Sequence, residues 1–437
     1  MYGAGALMDW RTSFGNRLLS PNEAVSLISS GMTVVCGLTE PSDLCSALAA
    51  RDDARDVTVV SAVLLPGGGD LAASGRFRVI TGFATPVSYP LLRKGLVEYI
   101  PLQFSQAHRW VEAECPPNVV MVRLTPPDGR GLCSYGWAPG FTPDLIRIAR
   151  ERSLPLIAEI DASMPYTVST EQVPVEAITC AIEAAGPPAG GDVPALASDK
   201  ASAIAVHVRS LIPDGATLQV GIGSVPDAAV SLLVDKKDLG IHTEVLNEGL
   251  IELMEAGVAT GARKSLHPGK AVCTICAMSD KIHAFVDGNP DVLAMSSREA
   301  LDPQAIARNP AVRCVNSAFQ VDLLGQVNAE TIGGFQVAGV GGQLDFFRGA
   351  AIADDALSIV VLDSTTSDEG TSRIVPALER GAVVTSTRYD VDYVVTEQGA
   401  AQMLGKTTRE RARALVGIAH PKFREELEKA AREMALL

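Results

Sequence analysis

Short apolar runs bounded by Gly, Pro, Asp and Ser recur along the chain. They include MTVVCG (32–37), DVTVVSAV (56–63), LPLIAEI (154–160), LQVGIG (218–223), AVCTICAM (271–278), VRCVNSAF (312–319), SIVVLDST (358–365) and VDYVVTEQ (391–398). Runs of this length and composition predict buried strands. Between them lie stretches with helical character, PSDLCSALAARDD (41–53) and PDAAVSLLVDKKD (226–238). The tail KTTRERARALVGIAHPKFREELEKAAREM predicts two helices split at His420–Pro421, its charges forming a solvated face.

The same order of elements occurs twice. SLISSGMTVVCG (26–37) and SLIPDGATLQVG (210–221) align in one register through Ser26/Ser210, Leu27/Leu211, Ile28/Ile212, Gly31/Gly215, Thr33/Thr217 and Gly37/Gly221. Each copy predicts a helix end, a turn, a strand, a tight loop, a helix entered at a Pro (Pro41, Pro226) and a further strand. Ser42–Asp43 and Asp227 put hydroxyl or acidic groups in the first helical turn, where they suit the unpaired N–H groups and the helix dipole. The fold expected is therefore α/β: two related domains, each a mostly parallel sheet flanked by helices. Gly, Pro and Ala crowd residues 184–196, so the domains are expected at 1–186 and 197–437, with a linker at 187–196.

A length of 437 residues also favours two domains over one core. The formal net charge of −14 opposes nucleic-acid backbones and anionic membrane surfaces, so neither is an expected partner. Eight cysteines spread over the chain do not form the framework of a small disulfide-rich domain. Cys273 and Cys276 make a CxxC without a second pair or a His cluster, and they predict core residues, not a metal site. The N-terminal stretch has no basic residue before Arg11 and no long apolar core, and no run approaches the ~18 apolar residues of a membrane span. A cytoplasmic protein is the expectation.

Four loops that follow strands carry unusual chemistry. GIGSVPD (221–227) lets a ligand approach the backbone ahead of a helix N-terminus, though an ordinary strand-to-helix turn is the commoner reading of such a loop. In IHTEVLNEG (241–249), His242 and Glu244 share one face of a strand, with Glu244 near its carboxyl end. Spacing alone reads that carboxylate as a solvated edge or salt-bridge residue, and a chemical role is the alternative. AGVGGQLDFFRGA (338–350) clusters Gly339, Gly341 and Gly342 in a loop that suits an oxyanion or phosphate, or a plain tight turn. VVTSTRYDVDYVVTEQGAA (383–401) places Thr385, Arg388 and Glu397 near strand ends, with Arg388 read as a structural ion-pair former.

Taken in order, these segments resemble the acetyl-CoA hydrolase/transferase group of family I coenzyme A transferases, especially its 4-hydroxybutyrate CoA-transferase branch. The strings that carry the resemblance are TPPDGRGLCSYG, LQVGIGSVPDA, KDLGIHTEVLNEG, LIELMEAGV, VNSAFQVDLLGQVNAETIGG, GVGGQLDFFRGA, SRIVPAL and YVVTEQGAAQMLGKTTRERARALVGIAHPKF. The likeness runs from about Leu19 onward and is denser in the second half. It implies two CoA-transferase-type domains with the active site between them. It also implies a catalytic glutamate at Glu244, a CoA-contacting loop at Gly221, Ile222, Gly223, Ser224 and Val225, and a second glycine loop at Gly341 and Gly342 with Gln343 adjoining.

The family's chemistry needs no metal and no permanently bound cofactor; coenzyme A and acyl-CoA are substrates, with a small carboxylic acid as the other partner. Homo-oligomers, dimeric or higher, are expected by the same likeness. Two departures stand out: VLNEG follows the glutamate where serine–aspartate–glycine is common in the branch, and Leu344 replaces the usual valine. A hydrolase using the same glutamate is the alternative activity. A catalytically silent CoA-binding protein and a sugar-phosphate isomerase of related topology fit less of the pattern.

Overall fold

A computed structural model of the protein describes residues 9–187, 199–277 and 279–437. They form two compact units, one drawn from 9–102, 106–187, 274–277 and 279–298, the other from 103–105, 199–273 and 299–437. The linker expected at 187–196 lies, apart from residue 187, outside the described residues.

In the first unit, a sheet has the order β4-β3-β2-β1-β5-β6-β7. Its strands are β1 (Thr33–Cys36), β2 (Thr58–Val60), β3 (Arg78–Thr81), β4 (Glu98–Tyr99), β5 (Val119–Leu124), β6 (Leu156–Ile160) and β7 (Cys180–Glu183). Every pairing is parallel. All residues of β5 and β6 are buried, as strands covered by helices on both faces must be. Helices α1 (Pro21–Val25), α2 (Ser42–Ala49) and α3 (Pro66–Ala73) accompany them, and Leu44, Leu48, Leu64 and Leu71 fill the core against Val34, Val59 and Met121.

The second unit repeats the plan. After α4 (Asp199–Ser210) its sheet runs β9-β8-β10-β11-β12-β13, with β8 (Thr217–Val220), β9 (Gly240–Ile241), β10 (Val312–Ser317), β11 (Leu357–Val361), β12 (Tyr393–Thr396) and β13 (Gly399–Gln402). Only the last pairing in this sheet, β12 with β13, is antiparallel. Helices α5 (Ser224–Ser231), α6 (Glu248–Glu255), α7 (Gln343–Ile352), α8 (Thr408–Ile418) and α9 (Arg424–Glu433) complete the part that matters here. Phe346 and Phe347 of α7 are fully buried with Cys314, Val360 and Leu415.

The internal repeat is visible atom by atom. Gly31 and Gly215 both take positive φ, at 78° and 76°, a conformation costly for any residue with a Cβ. Each then donates its N–H to the same point of the returning chain, Gly31 to Arg55 O (2.9 Å) and Gly215 to Lys237 O (2.8 Å). The strand pairs that follow are equivalent, Thr33 opposite Thr58 and Thr217 opposite Gly240.

The two tail helices form as the sequence predicts. Thr407 caps α8 in a reciprocal box with Glu410, and Pro421 opens a short 3-10 turn before α9. Cys273 and Cys276 are fully buried, in keeping with a core role. Among the described residues no helix is long and apolar enough to cross a membrane, and no group of three metal-binding side chains occurs.

Candidate active site

In the second sheet the chain leaves β8 to one side as β9 and returns on the other side as β10. Adjacent strands that depart in opposite directions open a crevice at their carboxyl ends, where open α/β sheets bind ligands. The loop at that point is Gly221–Val225. Gly223 adopts φ 127° and serves as the N-cap of α5 without any side-chain cap. Ile222 is 52% exposed although it is aliphatic, and Val225 turns inward and is buried. Beneath the loop, Gln219 and Asn316 exchange amide hydrogen bonds (3.0 and 2.8 Å) across β8 and β10, and a Cβ on Gly221 would lie 3.3 Å from Asn316 Oδ1.

Glu244 follows β9, the neighbouring strand. Its Oε2 accepts the Gly342 N–H at 2.8 Å. Gly342 is the N-cap of α7 and has no side-chain cap, so the carboxylate stands where the helix leaves its first N–H groups unpaired. A side chain at either glycine would crowd the carboxylate. A Cβ on Gly341 would lie 3.2 Å from Glu244 Oε2, and one on Gly342 2.9 Å from it and 3.3 Å from Leu301 Cδ2. Gly341 also takes φ 54°.

The residue is partly buried. Burial pushes the Glu244 carboxyl up to about 7; the Gly342 N–H opposes this and the Asp345 carboxylate adds to it. At neutral pH a large fraction is therefore ionised and able to attack, while the proton is held loosely.

The strand ends at Ile241, so Glu244 sits in the bend beyond it and not on a strand face; both His242 and Glu244 nevertheless meet α7. His242 lies edge-on to Phe346, with ring centroids 6.0 Å apart, while Glu244 binds the helix's first turn. Nε2 of His242 donates to Ala300 O (2.7 Å) and Nδ1 accepts from Asn309 Nδ2 (3.0 Å), which fixes one neutral tautomer. Burial, then the charge of Lys264, pushes its pKa down to about 3. His242 is thus a fixed structural group and no proton carrier at neutral pH.

Asp345, fully buried in the first turn of α7, was not singled out from sequence. Its carboxylate accepts from Ser105 Oγ (2.7 Å), Ser105 N (3.2 Å) and Gln103 Nε2 (2.9 Å), and burial pushes it up to about 6. The signal was present as an acidic residue directly after the GGQ loop, but its hydrogen-bond partners lie 240 and 242 positions away. The Gln343 side chain donates to Ser386 Oγ (3.0 Å), tying α7 to the 383–386 segment. Arg388 meets the Tyr389 hydroxyl (3.1 Å) and ring, and Glu397 accepts from Ser364 N (2.9 Å). The structure thus brings Glu244, Gly341 and Gly342 into one contact, with the Gly221–Val225 loop on the adjacent strand end.

A mostly parallel α/β sheet thus sets a carboxylate beyond a strand end, against a helix N-terminus, in the region where open sheets of this kind bind ligands. Residues 279–431 match the family model described as the acetyl-CoA hydrolase/transferase C-terminal domain. A 4-hydroxybutyrate coenzyme A transferase of Clostridium kluyveri is 38% identical over 96% of this chain and 98% of its own. A succinyl-CoA:cyclohexane-1-carboxylate CoA transferase of Geobacter metallireducens is 32% identical over 98% of both. The crystal structure of RipA from Yersinia pestis superimposes with a TM-score of 0.92 at 33% identity, covering 98% of this chain and 100% of that one. The chain belongs to the acetyl-CoA hydrolase/transferase group of coenzyme A transferases, enzymes of acyl-CoA transfer or hydrolysis.

Proposed function

We propose that the protein moves CoA between a short-chain acyl-CoA, such as acetyl-CoA, and a small carboxylic acid, by a ping-pong route through a glutamyl-CoA thioester on Glu244. The observation that carries this reading is the Glu244 carboxylate held 2.8 Å from the Gly342 N–H, closely flanked by two glycines. In the first step the ionised carboxylate attacks the thioester carbonyl. A C–O bond forms, the C–S bond breaks, and CoA leaves as thiolate from a mixed anhydride. The thiolate then attacks the Glu244 carbonyl carbon, expelling the first acid as its carboxylate and leaving glutamyl-CoA. An incoming carboxylate runs the same two steps in reverse.

Thioester energy is conserved throughout, so the route itself calls for no redox or metal chemistry. Each step builds negative charge on a carbonyl oxygen, and one preorganised N–H donor to such an oxygen is worth roughly 2.7–4 kcal/mol. Gly342 N–H is one such donor. The Gly221–Val225 loop supplies the surface for the CoA, with exposed backbone at Ile222 and Gly223.

The test is incubation with acetyl-CoA, treatment with borohydride, and peptide mass analysis. Reduction of the Glu244 carboxyl is the expected result; unmodified Glu244 in turning-over enzyme overturns the covalent route. Because the matching family description also covers hydrolases, CoA release from acetyl-CoA is measured with and without added carboxylate. Release that needs no acceptor establishes the hydrolase.

A further inference from the structure

The turn that carries Glu244 grips the Gly221–Val225 loop at both of its ends. Ahead of the loop, Thr243 Oγ1 lies 3.2 Å from Val220 O and accepts the Val220 N–H at 3.4 Å, at the last residue of β8. Beyond the loop, Asn247 Nδ2 donates to Asp227 Oδ1 (2.9 Å) in the first turn of α5. The other end of the same amide is also engaged, since Asn247 Oδ1 accepts the Leu250 N–H (2.9 Å) and caps α6.

A Gly-Ile-Gly segment has little conformational preference of its own, so its place is set by what holds its ends. One end is fixed in the sheet. The other rides on α5, which is packed so closely on α6 that a Cβ on Gly249 would lie 3.0 Å from Val230 Cγ1. Ser, Asp and Asn all cap helices well, yet among them only Asn offers an acceptor and an N–H2 donor together. The donor meets a real need. Asp227 is half-buried, and burial with the charge of Glu248 pushes it up to about 6, so at neutral pH it is an anion beside another anion.

We propose that Asn247 is a positioning residue whose amide, bonded to Asp227, fixes the Gly221–Val225 loop relative to Glu244 and thereby sets the enzyme's grip on acyl-CoA. This rests on the reading of Glu244 and of that loop given under Proposed function.

The test compares four full-length proteins by steady-state kinetics with acetyl-CoA and by thermal unfolding. Asn247→Ser keeps a good cap for α6 but is too short to reach Asp227. The expected result is an acetyl-CoA KM raised about five- to tenfold, a smaller change in kcat, and a melting temperature close to wild type. Asn247→Asp also caps α6 but sets a carboxylate against Asp227, so KM rises further. Asn247→Asp combined with Asp227→Asn restores a donor and an acceptor in reversed order and brings KM back to within about twofold of wild type. An unchanged KM in Asn247→Ser overturns the proposal, as does a KM that the reversed pair fails to recover while its melting temperature is normal. A purely structural cap would lower the melting temperature and kcat without moving KM, and that pattern also overturns it. If wild-type protein shows no acyl-CoA turnover, the functional reading falls and takes this inference with it; if wild type turns over and the Asn247 variants match it, only the tether falls.

Discussion

Glu244 carries a conflict that its surroundings resolve. A carboxylate drawn away from water prefers to be protonated, whereas the nucleophile proposed at Glu244 must be ionised. The Gly342 N–H at 2.8 Å offsets part of the burial penalty, and the carboxyl titrates at about 7. The acylation step is therefore expected to slow about tenfold per pH unit below 7, read as the acid limb of kcat/KM for acetyl-CoA. The sign follows from the protonated carboxyl being unable to attack. His242 cannot supply that limb, because it remains neutral down to about pH 3. A profile flat to pH 5 would contradict the assignment. Glu244→Gln keeps the shape and the Gly342 contact but not the nucleophile, and is expected to lose at least a thousandfold in transfer rate while remaining folded.

At the level of elements, the decisive pairing is between the end of β9 and the start of α7. Gly342→Ala places a methyl group 2.9 Å from Glu244 Oε2 and 3.3 Å from Leu301, so the carboxylate must move by some tenths of an ångström. A misplacement of about 1 Å can cost on the order of a hundredfold, so for this smaller shift a loss of about tenfold in kcat/KM is expected. Gly341→Ala adds the strain of φ 54° to a similar contact and should lose at least as much. Gly417 near the end of α8 supplies the control. It is exposed with nothing within 4 Å of a built Cβ, so Gly417→Ala should leave kinetics alone and stabilise by about 0.5–1 kcal/mol, measured by denaturant unfolding. Leu344, one of the two departures from the branch pattern, is partly exposed in the first turn of α7.

For the molecule as a whole, the site is a stability cost that depends on pH. The folded Glu244 binds its proton up to about pH 7 while the unfolded side chain releases it near 4.5, so the folded state holds more protons between those values. Stability from this group is consequently lost as pH rises through that window. Replacing Glu244 by Gln removes the loss, and the variant should gain on the order of 2–3 kcal/mol over wild type at pH 8 and much less at pH 5. Equal gains at both pH values would show that the carboxyl is not held near 7. Asp345, pushed up to about 6, works in the same direction and should be left intact in that comparison.

Much of this was written in the linear chain. The apolar runs gave strands where strands occur, the repeat of 26–37 in 210–221 gave two sheets of one design, and His420–Pro421 gave the break between α8 and α9, because each depends on local stereochemistry or burial periodicity. Glu244 was legible as a carboxylate near a strand end, but by spacing alone it read as a salt-bridge residue. The tertiary structure brings Gly342, 98 positions later, onto its oxygen, and among the described residues no ion pair to Glu244 occurs. In the same way Asp227 was legible as a helix-end acid, yet its bond to Asn247 belongs to the packing of α5 on α6. Side-chain partners separated by tens or hundreds of residues are fixed by how sheets and helices stack. No local preference encodes them, and the proton affinity of Glu244 is set by those partners.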